Sequence, residues 1–114
     1  MQYMLLINTD DAAWESMTDD QRAAGIELYR AFTEELSSSG ALVAGDQLMP
    51  ASSAKQVRAQ NGKALVTDGP FAETKETLGG YYLIEAASEQ NALDWAAKCP
   101  GAQHGVVEVR GVVG

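Results

Sequence analysis

Residues 2–8, QYMLLIN, place apolar side chains on both alternating sets, with Tyr3, Leu5 and Ile7 on one and Met4 and Leu6 on the other. An apolar run without alternation predicts a strand buried on both faces. Asp10, Asp11 and a short segment around Trp14 follow. Thr18, with Gln21 three residues on, then forms a capping-box pattern that predicts a helix start. Ile26, Tyr29, Phe32 and Leu36 recur at spacings of three and four, while Glu27, Arg30, Glu34 and Glu35 fall between them, which gives this helix one apolar face. Ser37-Ser38-Ser39-Gly40 ends it.

ALVAGDQLMP predicts a second strand, stopped by Pro50, with Asp46 at its polar end. Asn61-Gly62 between VRAQ and KALVT is suited to the positive φ angles of a type I′ turn, so a β-hairpin is expected there. It runs into Asp68-Gly69-Pro70-Phe71, where Gly-Pro interrupts any strand or helix. Past the polar AETKET, Gly79-Gly80 leads into YYLIEA. In that strand Tyr81 and Leu83 face one side and Tyr82 and Ile84 the other, and burial of both faces is again expected. Ser88 is the cap of a second helix ending at Lys98, with Ala92, Trp95, Ala96 and Cys99 as its apolar stripe and Pro100-Gly101 as its stop. GVVEVRGVV closes the chain as a strand. Neither repeats nor low-complexity tracts interrupt this order.

Strand, helix, strand, hairpin, strand, helix, strand is an α+β arrangement: a ferredoxin-like split βαβ protomer with an inserted β-hairpin. Two helices cover only one face of such a sheet, yet two of its strands are apolar on both. A homodimer with two sheets packed face to face at about 10 Å is therefore expected.

The length of 114 residues fits one domain spanning 1–114, with roughly 65% of the unfolded surface available to bury. Sixteen acidic residues against eight basic ones give a net charge of −8, which repels nucleic acid and anionic membranes. The apolar runs are far shorter than the ~20 residues of a membrane helix, and no basic start precedes a signal-like segment, so a cytoplasmic location is expected. The single cysteine, Cys99, reads as a packing residue at a helix C-terminus. His104 is the only histidine, which excludes histidine-rich metal sites and His–His pairs, and it reads as a surface or packing residue.

The chemistry-bearing segment is Val66 to Glu76, followed by Leu78-Gly79-Gly80. Turn chemistry makes it a stiff, solvated connection: Asp68 accepts backbone N–H bonds, Pro70 fixes φ and Phe71 anchors the loop by burial. A sharper reading lets Glu73, Lys75 and Glu76 line a cleft with Asp46, binding a polar ligand or handling protons. DGPFAETKE lacks the ligand spacing of an EF-hand loop, so no metal is expected. Arg110 is a candidate partner for a loop carboxylate such as Glu76. Tyr81 and Tyr82 read as packing groups whose hydroxyls find a hydrogen bond, and Trp14 and Trp95 as core or interface.

VTDGPFAETKETLGGYYLIEA, with MLLI, ALVAGDQL, WAAKCP and VEVR around it, resembles the DGPF family of YCII-related proteins over essentially the whole chain. The resemblance implies a ferredoxin-like protomer and a dimeric α/β barrel. It brings no established reaction and no cofactor, so whether the chain is an enzyme stays open. It implies a bacterial protein and, by association, a regulatory partner such as a sigma factor of the extracytoplasmic-function type. YCII proteins proper carry a helix histidine proposed to act with an aspartate, whereas AAGIELYRAF has none, so that pair does not transfer. Asp46 stands where relatives commonly have glutamate, and Gly111 where they often have proline. Two functions follow as expectations. One is a small polar or amphipathic ligand held by Asp46, Asp68, Phe71, Glu73, Lys75 and Glu76, with acid–base chemistry from the carboxylates. The other is an interaction module whose acidic dimer docks a basic partner.

Overall fold

The computed structural model describes residues 1–71 and 75–114. Its elements run β1 (Gln2–Asp10), α1 (Asp11–Glu15), α2 (Asp19–Ser39), β2 (Leu42–Gln47), a 3₁₀ turn (Ala51–Ser53), β3 (Lys55–Gln60), β4 (Lys63–Asp68), β5 (Glu76–Glu85), α3 (Glu89–Lys98), α4 (Gly101–His104) and β6 (Val106–Gly111). Four strands form one antiparallel sheet in the order β2-β5-β1-β6, and β3 and β4 form a separate two-stranded sheet. β2 and β1 flank β5, and β5 and β6 flank β1, so two split βαβ units interlock. This is the ferredoxin-like α+β arrangement that the element order predicts.

Local chemistry sets the helix ends. Thr18 accepts from the Gln21 amide while the Gln21 side chain accepts from the Thr18 amide, a complete capping box. Gly40, at φ 81°, closes the same helix in the left-handed conformation. Ser88 caps α3 by accepting from the Asn91 amide. The hairpin forms where Asn61-Gly62 predicts, with φ 52° and 75°.

The core lies between the helices and one face of the sheet. Tyr3, Leu5 and Ile7 of β1 and Tyr82 and Ile84 of β5 meet Phe32 and Leu36 of α2 and Ala92, Ala96 and Cys99 of the α3 end. Phe32 stands edge-on to Tyr82 and Trp95, with ring centroids 5.3 and 6.2 Å away. The Thr33 hydroxyl donates to the Tyr29 carbonyl, so at 2.7 Å from Thr33 the Tyr82 hydroxyl serves as donor. Gly45 makes room for that ring, since a Cβ there would lie 2.7 Å from Tyr82 Cδ1. Burial pushes the Cys99 thiol above its usual pKa, keeping it protonated as a packing group.

The structure adds to or alters these expectations at five points. Within one protomer β1 and β5 are buried on one face only: Met4, Leu6, Tyr81 and Leu83 are half-buried, because none of the described elements covers their side. β5 begins at Glu76 rather than after Gly79-Gly80, because the polar residues before the glycines pair with the end of β1. Gly79 is the extra residue at the register shift, so pairing resumes across it. Ile26 is 60% exposed, since α2 turns Gly25, Tyr29, Phe32 and Leu36 inward instead. α3 ends at Lys98 before Pro100-Gly101, as expected, with Cys99 extended at ψ 130°, but the chain then enters a further short helix, α4, that the sequence does not predict. Finally, Arg110 pairs across from Met4 and Glu76 from Asp10. Six residues of β1, about 20 Å, separate the two positions, too far for the expected ion pair.

Candidate functional site

Because side chains alternate, the strand register fixes what shares the uncovered face. Asp46, Tyr81, Leu6 and Glu108 form one row across all four strands. Ala44, Leu83, Met4 and Arg110 form the next row toward one end. Leu78, Asn8 and Val106 form the next toward the other, with Leu78 brought to this face by the irregularity at Gly79. The face therefore has an apolar centre of Met4, Leu6 and Leu83 between polar edges.

Two features on it can do chemistry. The Tyr81 hydroxyl donates to Asp46 Oδ2 at 3.1 Å. The Asp46 carboxylate holds the phenol pKa above its usual value, first through that hydrogen bond and then through its charge. Tyr81 is thereby held as a hydroxyl donor next to the Asp46 carboxyl. Beyond it, a broad open groove of about 680 Å³ is lined by Asn8, Lys75, Glu76, Val106 and Glu108. The Asn8 amide nitrogen donates to the Leu6 carbonyl at 3.4 Å, which leaves its amide oxygen as an acceptor for other donors. Glu108 belongs both to the groove and to the Asp46 row, so the two features are one continuous surface.

The residues expected to form one cleft are divided by this geometry. Lys75 and Glu76 line the groove. Asp46 sits opposite Tyr81, whose partner on β1 is Leu6, while Glu76 faces Asp10. Four residues of β1 separate these positions, about 13 Å. Asp68 is bound to Lys55 at the foot of the hairpin. Phe71 is half-buried, with its ring against Gly69, where a Cβ would lie 2.9 Å from Phe71 Cε2. Glu73 lies outside the described residues. Asn8 and Glu108 were not singled out by sequence, although each is a polar side chain within an apolar strand, on the same alternating set as Leu6 or its pairing partner. Tyr81, a packing group by its sequence pattern, instead directs its hydroxyl to Asp46. Among the described residues no three His, Cys, Asp or Glu side chains gather as metal ligands, and no helix is long and apolar enough to cross a membrane.

An antiparallel sheet with helices on one side and a mixed apolar and polar surface on the other defines a ferredoxin-like α+β protein with an open sheet face. The chain belongs to the YCII-related domain family, whose model matches residues 1–114. It is 34% identical over 112 residues to an uncharacterised protein of Rhizobium meliloti strain 1021, covering 96% of this chain and 90% of that protein. Its fold is similar to that of 5-chloro-2-hydroxyhydroquinone dehydrochlorinase from Burkholderia phenoliruptrix AC1100, solved in complex with 2,5-dihydroxybenzoquinone. That similarity has a TM-score of 0.59 at 12% identity and covers 99% of this chain and 94% of the other.

Proposed function

We propose that this YCII-related protein binds a small amphipathic molecule on the open sheet face, with Asp46 and Tyr81 as its proton-handling pair. The observation that carries the reading is the Tyr81–Asp46 hydrogen bond standing in one row with Leu6 and Glu108, next to the groove. An apolar floor with a few convergent polar groups is the usual composition of a small-molecule site. A flat ligand would rest on Leu6 and Leu83, present a hydroxyl or carbonyl to Tyr81 and Asp46, and reach Asn8, Lys75 and Glu108 at the groove end. Of the loop residues, Lys75 and Glu76 border this site, whereas Asp68 and Phe71 hold the connection that leads to it.

A second copy of the chain would close the face. Met4, Leu6, Tyr81 and Leu83 are apolar side chains that a lone protomer leaves half wet, and an isologous pair would bury them and enclose the site. Regulation beside a sigma factor has only the net charge of −8 in its favour.

The dehydrochlorinase's ligand supplies a reasonable first probe. Titration of 2,5-dihydroxybenzoquinone into isotopically labelled protein is expected to shift amide resonances at Leu6, Asn8, Tyr81 and Glu108. Asp46→Asn and Tyr81→Phe should each weaken that binding by about tenfold, the usual scale for losing a partner of a charged hydrogen bond. Shifts confined to the helix side, or affinities indifferent to both substitutions, would remove the open face as the site.

A further inference from the structure

The β3–β4 hairpin is built unlike the rest of the molecule. All six residues of each strand are exposed, and a two-stranded hairpin alone in water is marginally stable at best. Val57 pairs with Val66 and Ala59 with Ala64, which puts four apolar residues on one face. Val57 is 65% and Val66 61% exposed. The projecting hairpin also accounts for a radius of gyration of 16.0 Å, where a compact chain of this length has about 13 Å.

Its charge is opposite to that of the body. Residues 55–68 carry Lys55, Arg58 and Lys63 against Asp68, a net +2, so the rest of a chain whose total is −8 stands at −10. Lys55 is spent on Asp68. Among the described residues, Arg58 and Lys63 make no ion pair.

We infer that this hairpin is an exchange arm that docks on the acidic body of a second copy of the chain. The hairpin is complementary in charge to its own body yet is not folded back on it, and a second copy offers the same acidic surface. The Val57–Val66 face supplies contact area, while Arg58 and Lys63 on the other face supply the field that steers the arm. Two-fold symmetry doubles every arm contact, so one modest contact counts twice per dimer. The inference rests on the two-copy assembly proposed above and adds the element that clasps it.

Sedimentation equilibrium of the whole chain, together with hydrogen exchange on the unaltered protein, tests both readings separately. The arm amides are expected to exchange at least about tenfold more slowly at concentrations where the dimer predominates than where it has dissociated. Arg58→Glu with Lys63→Glu should raise the dimer dissociation constant about tenfold or more and flatten its salt dependence, with the circular dichroism unchanged. Equal exchange of the arm at both concentrations, with a dissociation constant unmoved by the charge reversal, would overturn the arm. If Leu83→Asp then still split the dimer, the sheet-face assembly would stand without it. A monomer at about 100 µM would overturn both.

Discussion

Leu5 and Leu6 are neighbours on β1 and point to opposite faces of the same sheet. Leu5 is fully buried among Tyr3, Phe32, Leu36 and Ile84, whereas Leu6 is half-buried between Tyr81 and Glu108. The covered face is apolar throughout its centre, and the Tyr82 hydroxyl is used within the fold, in its bond to Thr33. The open face mixes Met4, Leu6 and Leu83 with Asn8, Asp46, Glu108 and Arg110. One face is built to hold the chain together. The other leaves its apolar side chains half-buried and most of its polar ones exposed.

The largest expected difference between the two follows directly. Leu5→Ala removes a fully enclosed side chain with little room for collapse, and should cost about 2–5 kcal/mol of unfolding free energy. Leu6→Ala, measured by urea denaturation under conditions where the chain is monomeric, should cost less than about 1.5 kcal/mol, because part of that side chain is already in water. Equal losses would mean that the open face is part of the protomer's core.

A second substitution probes where the faces meet at the end of β1. A Cβ at Gly105 would run into the Asn8 carbonyl oxygen. Its φ of −159° is ordinary extended backbone, so the constraint is space and not conformation. Gly105→Ala should therefore displace β1 at Asn8 and cost about 1–3 kcal/mol, read by the same denaturation. It should also move the Asn8 amide resonance, which reports distortion at the rim of the groove.

The contrast between the faces was only half legible in the sequence. Turn and cap signals are local, so Asn61-Gly62, Thr18 with Gln21, and Ser88 each gave their element correctly. The apolar runs of β1 and β5 pointed to a sheet with an unmet apolar face, which the fold leaves open. Register is not local. Asp46 and the Lys75-Glu76 pair were grouped because their strands were expected to end together, but pairing through β1 sets them about four residues apart. Gly79 turned Leu78 onto the open face by a one-residue irregularity that period-two reading does not detect. Tyr81 and Tyr82 are adjacent and of one type, and only the position of the helices separates a packing tyrosine from one that meets Asp46.

Alkali offers a test of the covered face. Burial is the first cause of the raised pKa values of Tyr29 and Tyr82, with Cys99 adding to each and the Thr33 bond opposing it at Tyr82. A phenol whose pKa is raised on folding contributes stability that is complete below its unfolded pKa of about 10 and is lost as pH rises through the folded value. Urea midpoints should thus be level with respect to these groups up to about pH 10 and fall above it. Tyr82→Phe should make that fall shallower. An unchanged slope would show that Tyr82 is ionised in the folded protein at no cost.

The smallest expected effect on stability, and the sharpest on chemistry, belongs to Asp46. It lies exposed on the outer strand β2, so Asp46→Asn should leave the urea midpoint where it is. Asparagine keeps an acceptor for the Tyr81 hydroxyl but removes the charge that, with the hydrogen bond, raises the phenol pKa. The Tyr81 titration, followed by nuclear magnetic resonance of a ring-labelled tyrosine, should therefore shift down toward the ordinary phenol range. Tyr82, on the covered face and bonded to Thr33, should titrate as before. A shift of both tyrosines would mean that the two faces are electrostatically coupled through the sheet, whereas a shift of neither would separate Tyr81 from Asp46 and dissolve the proposed proton-handling pair.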